Sequence, residues 1–252
     1  LATSTKEGVA QPALYGVRTF SNELMSFDLN TGAATNIAIL DFGGIAGMAY
    51  DATSDTLYGA SYTSDFLLSI DPSTGATEVV GRLGISWISG MTYDSSSGYL
   101  FGVDGLADTL VRIDPHTGET TTIGSMGYGG VYALAIDSVT EQMYAIDNLD
   151  DKFLSIDMST GQATVIADLE MVIGGLTFDP TTGMLLAGHS NWNDSAELFS
   201  IDPATGQTTL IGEVGFPRVT AMAFVVPAPG VFTVVGVLSM FASRRKRNDM
   251  CP

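Results

Sequence analysis

The sequence predicts an all-β chain, a five-bladed β-propeller of four-stranded blades, from three landmarks that repeat together. The first is an aspartate followed four residues later by glycine, in FDLNTG, IDPSTG, IDPHTG, IDMSTG and IDPATG. Its aspartates (Asp28, Asp71, Asp114, Asp157 and Asp202) are separated by 43, 43, 43 and 45 residues. The second is the run GMAYD, GMTYD, ALAID, GLTFD, ending at Asp51, Asp94, Asp137 and Asp179. The third is an LYG-like run at Tyr15-Gly16, Tyr58-Gly59, Phe101-Gly102, Tyr144-Ala145 and Leu186-Ala187. Three landmarks on one period of about 43 residues, with four strand-length segments in each period, mark a propeller blade.

Each segment reads as a strand for local reasons. LLSID and TEVVG set β-branched and aliphatic residues over four or five positions, too few for a helix. The DPSTG turn follows from its residues. Asp71 accepts hydrogen bonds from N–H groups ahead of it, Pro72 presets a turn dihedral, and Gly75 takes the left-handed conformation. DATSDTLYG uses the same chemistry over what reads as a longer loop.

The phase decides how the ring closes. With GMAYD as the inner strand, a blade runs GMAYD, LYGAS, LLSID, ATEVVG from axis to rim. Small residues in that strand (Gly47, Gly90, Ala133, Gly175, Ala221) suit a crowded axis. The first copy then lacks an inner strand, and VTAMAFV at 219–225 is a spare one. The C-terminal inner strand is expected to complete the blade whose other three strands are N-terminal, removing the open edge of a linear array. The chain divides into a polar extension at 1–13, a propeller at 14–225 and a tail at 226–252. The polar start LATSTKEG, without Met, is read as a processed or truncated N-terminus rather than a signal segment.

Composition limits the partners. Residues 1–230 carry 6 basic and 27 acidic residues, which repels nucleic-acid backbones, so no nucleic-acid partner is expected. Most of these aspartates are explained by turns. The single cysteine, Cys251, allows no intrachain disulfide. Two histidines and one distal cysteine do not supply a zinc site, and DNLDD at 147–151 lacks the spacing of an EF-hand loop. No metal and no cofactor are expected.

The tail has its own order. VPAPG at 226–230 marks a linker, an apolar run of 13 residues extends from Gly230 to Ala242, and Arg244, Arg245, Lys246 and Arg247 follow after Ser243. The run is shorter than the roughly 20 residues of a relaxed spanning helix, and the basic cluster fits a cytoplasmic stop. Pro227, Ala228 and Pro229, then the apolar segment, then the basic cluster together resemble a PEP-CTERM sorting signal. That resemblance implies a short hydrophobic tail helix, transient anchoring in the inner membrane and recognition by an exosortase-type processing enzyme. It also implies export to the cell surface or extracellular matrix. Ala228 stands where that family's motif has glutamate, and NDMCP follows the basic cluster. The bare alternative is a C-terminal membrane anchor or an interfacial segment. The repeats over 14–225 also resemble the DP-x-TG propeller repeats of exported bacterial proteins, which implies no activity.

Ten loops are expected on the propeller face opposite the DPSTG turns. Five join rim strand to next inner strand (38–46, 81–89, 124–131, 167–173, 212–219), and five join second to third strands (18–23, 61–66, 104–109, 147–152, 189–197). Variation concentrates there, where propellers bind. The expected ligand-binding residues are Trp87, Trp192, Tyr62, Tyr128, Asp104, Asp147, His189, Asn191, Asp194 and Arg218. Aromatic rings among carboxylates and amides suit a glycan, and Trp and Tyr anchors suit a protein. Trp87 also suits plain packing between blades, since its loop is apolar. The sequence thus points to a non-enzymatic surface propeller that binds a glycan or a protein. Two alternatives stand: a structural component without ligand, and a five-bladed carbohydrate-active enzyme. The latter needs two axial carboxylates, drawn from Asp41, Asp104, Asp147 and Glu170.

Overall fold

The computed structural model describes residues 12–18, 20–190 and 195–226. Their strands form five four-stranded antiparallel sheets arranged as the blades of a ring. The N-terminal strands are β1 (Ala13–Arg18), β2 (Glu23–Phe27) and β3 (Ala34–Ile39). Four complete blades follow. The first is β4 (Ile45–Asp51), β5 (Thr56–Ser61), β6 (Phe66–Ile70) and β7 (Thr77–Arg82). The next is β8 (Ile88–Asp94), β9 (Tyr99–Asp104), β10 (Thr109–Ile113) and β11 (Thr120–Ser125). Then come β12 (Val131–Asp137), β13 (Gln142–Asp147), β14 (Lys152–Ile156) and β15 (Ala163–Asp168). The last holds β16 (Ile173–Asp179), β17 (Met184–His189), β18 (Glu197–Ile201) and β19 (Thr208–Glu213).

The ring closes as the phase predicts. β20 (Ala221–Val225) pairs with β1 from Ala13 opposite Val225 to Val17 opposite Ala221, so the sheet order is β20-β1-β2-β3. Thr220 Oγ1 donates to the Val17 carbonyl at 2.9 Å and Arg18 Nε to the Pro217 carbonyl at 3.1 Å, which ties the loop before β20 to β1.

The turns behave as their residues require. Asp71 Oδ1 accepts from Ser73 N–H at 2.8 Å, Ser73 hydroxyl at 2.6 Å and Thr74 N–H at 3.2 Å, and Gly75 stands at φ 73°. The inner hairpins use a buried aspartate in the same way. Asp51 accepts Thr53 N–H at 2.7 Å and the Ser54 hydroxyl at 2.6 Å. The longer loop expected there is absent. Asp51 pairs with Thr56, and Asp71 N–H bonds the Ala76 carbonyl, so both turns enclose four residues.

The core is five apolar clusters, each joining residues of neighbouring blades. Rim strands bury little; β3, β7, β11, β15 and β19 share one pattern with no fully buried residue. Each rim strand also carries a bulge against its neighbour. Beside the bulge the rim strand touches the next blade's turn. A Cβ on Gly81, Gly124 or Gly212 would lie 1.8, 2.1 or 1.9 Å from the carbonyl oxygen of Thr117, Thr160 or Thr31. Glycine at these positions therefore sets how closely blades approach. No helix among the described residues is long and apolar enough to cross a membrane. The expected tail helix and the sorting-signal residues, within 227–252, lie outside the described residues, as do residues 1–11 of the extension expected at 1–13, whose last residue, Ala13, opens β1.

Candidate functional site

The axis is built in layers because the inner strands repeat position for position. Met48, Met91, Leu134, Leu176 and Met222 fill the middle and are all buried. This plug separates two wells. On the turn face a well of about 230 Å³ includes Tyr50, Tyr93, Phe178 and Phe224 in its wall, and Val226 lies at it. On the loop face a larger well of about 680 Å³ opens, inside the size range of ligand pockets.

Equivalent positions of the repeat build the loop-face well. Its floor is the second residue of each inner segment: Ala46, Ser89, Tyr132, Gly174 and Thr220. Its wall comes from the position just before Ile45, Ile88, Val131, Ile173 and Val219. That position holds Gly44, Trp87, Gly130, Val172 and Arg218, and its three large residues, Trp87, Val172 and Arg218, line the well and decide its shape. The outer wall is Phe20, Tyr62, Asn148 and Ser190, from the loops between second and third strands. A fivefold scaffold thus carries an asymmetric cavity.

Its aromatic side is held in place. Trp87 lies beside Tyr132, ring centroids 5.5 Å apart at 33°, and packs over Gly105, where a Cβ would come within 3.0 Å of the indole. Arg218 lies over the Phe20 ring at 4.7 Å and stands at φ 59°. Among the described residues the other non-glycine residues in that region occupy four-residue turns, and Arg218 alone sits in a rim-to-axis loop.

Three of the polar groups of the lining, on Ser89, Asn148 and Thr220, are used within the ring. Ser89 Oγ donates to the Val131 carbonyl at 2.8 Å and Thr220 Oγ1 to Val17. Asn148 Nδ2 donates to the Ile173 carbonyl at 2.8 Å while its Oδ1 accepts Ile173 N–H at 2.9 Å. No carboxylate lines the well among the described residues.

The structure brings together Trp87, Tyr62 and Arg218 of the residues expected from sequence. It places others elsewhere. Tyr128 packs on a blade core, as do Phe42, Ile85, Met171 and Phe216 at the same loop position. Asp104 accepts the N–H groups of Leu106 and Ala107 at 3.0 and 3.1 Å and so holds its own turn. Asp147 is fully buried and does the same for Leu149 and Asp150 at 2.7 and 3.2 Å. His189 Nδ1 faces Glu197 Oε2 at 3.2 Å, beside rather than in the well. Trp192, Asn191 and Asp194 lie outside the described residues. Tyr132, Phe20 and Val172 are the large well residues that sequence reasoning missed. Tyr132 was detectable, because four small or hydroxyl side chains fill the equivalent positions.

The chain matches a family described as "Repeat of unknown function (DUF6923)" over residues 90–232. It belongs to that family. The family thus spans the last blades and the closing strand, including Tyr132, Val172 and Arg218 but not Trp87. No curated protein matches the chain. Among solved structures it is similar to a chain of the "Crystal structure of Nidogen/Laminin Complex", with a TM-score of 0.64 and 13% identity over 86% of this chain and 99% of that one. At that identity the likeness is one of fold.

Proposed function

We propose that this DUF6923 chain is an exported, non-enzymatic propeller that binds a protein partner through the loop-face well. One observation carries the choice of protein over glycan. The well is apolar and aromatic, and Ser89, Asn148 and Thr220 spend their hydrogen bonds inside the ring. A sugar needs unspent donors and acceptors around its hydroxyls; an inserted apolar side chain needs a dry, preformed pocket. The similar solved propeller comes from a complex of two proteins, which is consistent with this reading.

Export rests on the tail resemblance at Pro227, Ala228, Pro229 and Arg244–Arg247, with an exosortase-type enzyme as processing partner. β20 ends at the turn face, where Val226 lies at the smaller well, so the chain leaves the last strand on the side opposite the loop face.

The test pairs a glycan array with a cross-linking pull-down from the native cell surface, using the wild type and Trp87→Ala. A protein captured by the wild type and lost with Trp87→Ala supports the reading. Glycan binding that depends on Trp87, or capture indifferent to it, overturns the reading.

A further inference from the structure

We infer that the partner inserts an apolar side chain into the loop-face well from a segment bearing Lys or Arg, an assignment that rests on the protein-binding reading above. The argument is the balance of charge around the well. Among the described residues the loop face holds four Arg or Lys side chains. Three are matched at the surface: Arg18 with Glu23, Arg82 with Asp65 at 3.4 Å, and Lys152 with Asp168 at 2.6 Å. The fourth, Arg218, lies over Phe20.

The carboxylates are not matched in this way. Asp41, Asp150, Asp151, Glu170 and Glu213 are exposed on the loops that frame the well, and none forms an ion pair with a described residue. They stand in the blades that also supply Phe20, Leu149 and Val172, whose side chains are 74, 67 and 42% exposed. Exposed apolar residues such as Phe20 and Val172 at the mouth of an apolar well suit an interaction surface, and a surplus of one charge sign around it selects the opposite sign in the partner and steers the encounter. Aromatic walls with a charged rim match the anatomy of protein interfaces, in which a few buried anchors carry the energy.

The experiment pans a phage-displayed library of random peptides on the full chain and sequences the binders. Binders that combine a large apolar residue with two or more Lys or Arg are expected. The best synthetic binder should weaken about tenfold between low and high salt, and about tenfold in the D150K/D151K/E170K variant, whose thermal melt should stay near that of the wild type. Binders that are acidic or uncharged, yet lost with Trp87→Ala, overturn the basic-partner assignment and leave the loop-face reading standing. Binders indifferent to Trp87→Ala, or none at all, overturn both.

Discussion

Gly212 of the last rim strand lies against the carbonyl of Thr31 in the turn between β2 and β3, so that a Cβ at 212 would stand 1.9 Å from that oxygen. The same contact joins Gly81 to Thr117 and Gly124 to Thr160 between sequence neighbours. At Gly212 it joins the two ends of the propeller, and there it works with the β20–β1 pairing to hold the ring shut.

Gly212→Ala is expected to destabilise the fold by about 1–3 kcal/mol, because backbone must move to admit the methyl. Gly98→Ala gives the control. Gly98 stands at φ 74° with nothing near its missing Cβ, so only the left-handed backbone costs, about 1 kcal/mol. Urea midpoints of the two variants measure the difference; equal shifts would show that closure does not depend on this contact.

Gly105→Ala should disturb binding rather than folding. The new methyl meets the Trp87 indole at 3.0 Å, which displaces the side chain beside Tyr132. Partner binding is expected to fall about tenfold, in line with loss of an interface anchor, while the melting temperature moves by only a few degrees. Indole fluorescence of Trp87 in a Trp192→Phe background reports the displacement directly.

The turn aspartates make the fold acid-sensitive. Hydrogen bonds from the Ser73 and Ser159 hydroxyls and N–H groups hold Asp71 and Asp157 below the ordinary carboxylate value, and the Asn30 N–H does so for Asp28. Burial pushes Asp51 and Asp94 upward, but their Ser and Thr partners outweigh it and leave both lowered. A lowered folded value gives stability that is complete above the unfolded carboxylate range, about pH 4, and is lost as pH falls through the folded values. Urea midpoints should therefore hold steady toward neutral pH and drop below about pH 4. Asp71→Asn should flatten part of that drop.

The turn-face well gives the opposite sign at high pH. Burial, then the charge of Asp51 and a hydrogen bond to it, pushes the Tyr93 hydroxyl up to about 12. Burial and Asp55, 2.6 Å from its hydroxyl, raise Tyr50 as well. Stability from these groups is complete below the unfolded tyrosine value of about 10 and is lost as pH rises through the folded values. A spectrophotometric titration should show tyrosines ionising late, and Tyr93→Phe should remove one of them.

Much of this protein was determined by sequence alone. The period, the blade count, the turn chemistry and the closing strand could all be read there because each depends on local rules. An aspartate caps the turn that follows it, glycine takes the left-handed position, and a strand without a neighbour needs one. The wells were decided by tertiary structure. Phe42, Tyr128 and Phe216 share loops with Trp87 and Arg218 by position, and the same kind of residue, two places apart, turns either onto a blade core or toward the axis. Likewise Asp104 and Asp147 look like ligand groups in the sequence, but each turns its Oδ1 to the N–H groups of its own turn. Direction relative to the axis is fixed by how five blades pack around it, a long-range outcome that no single loop contains.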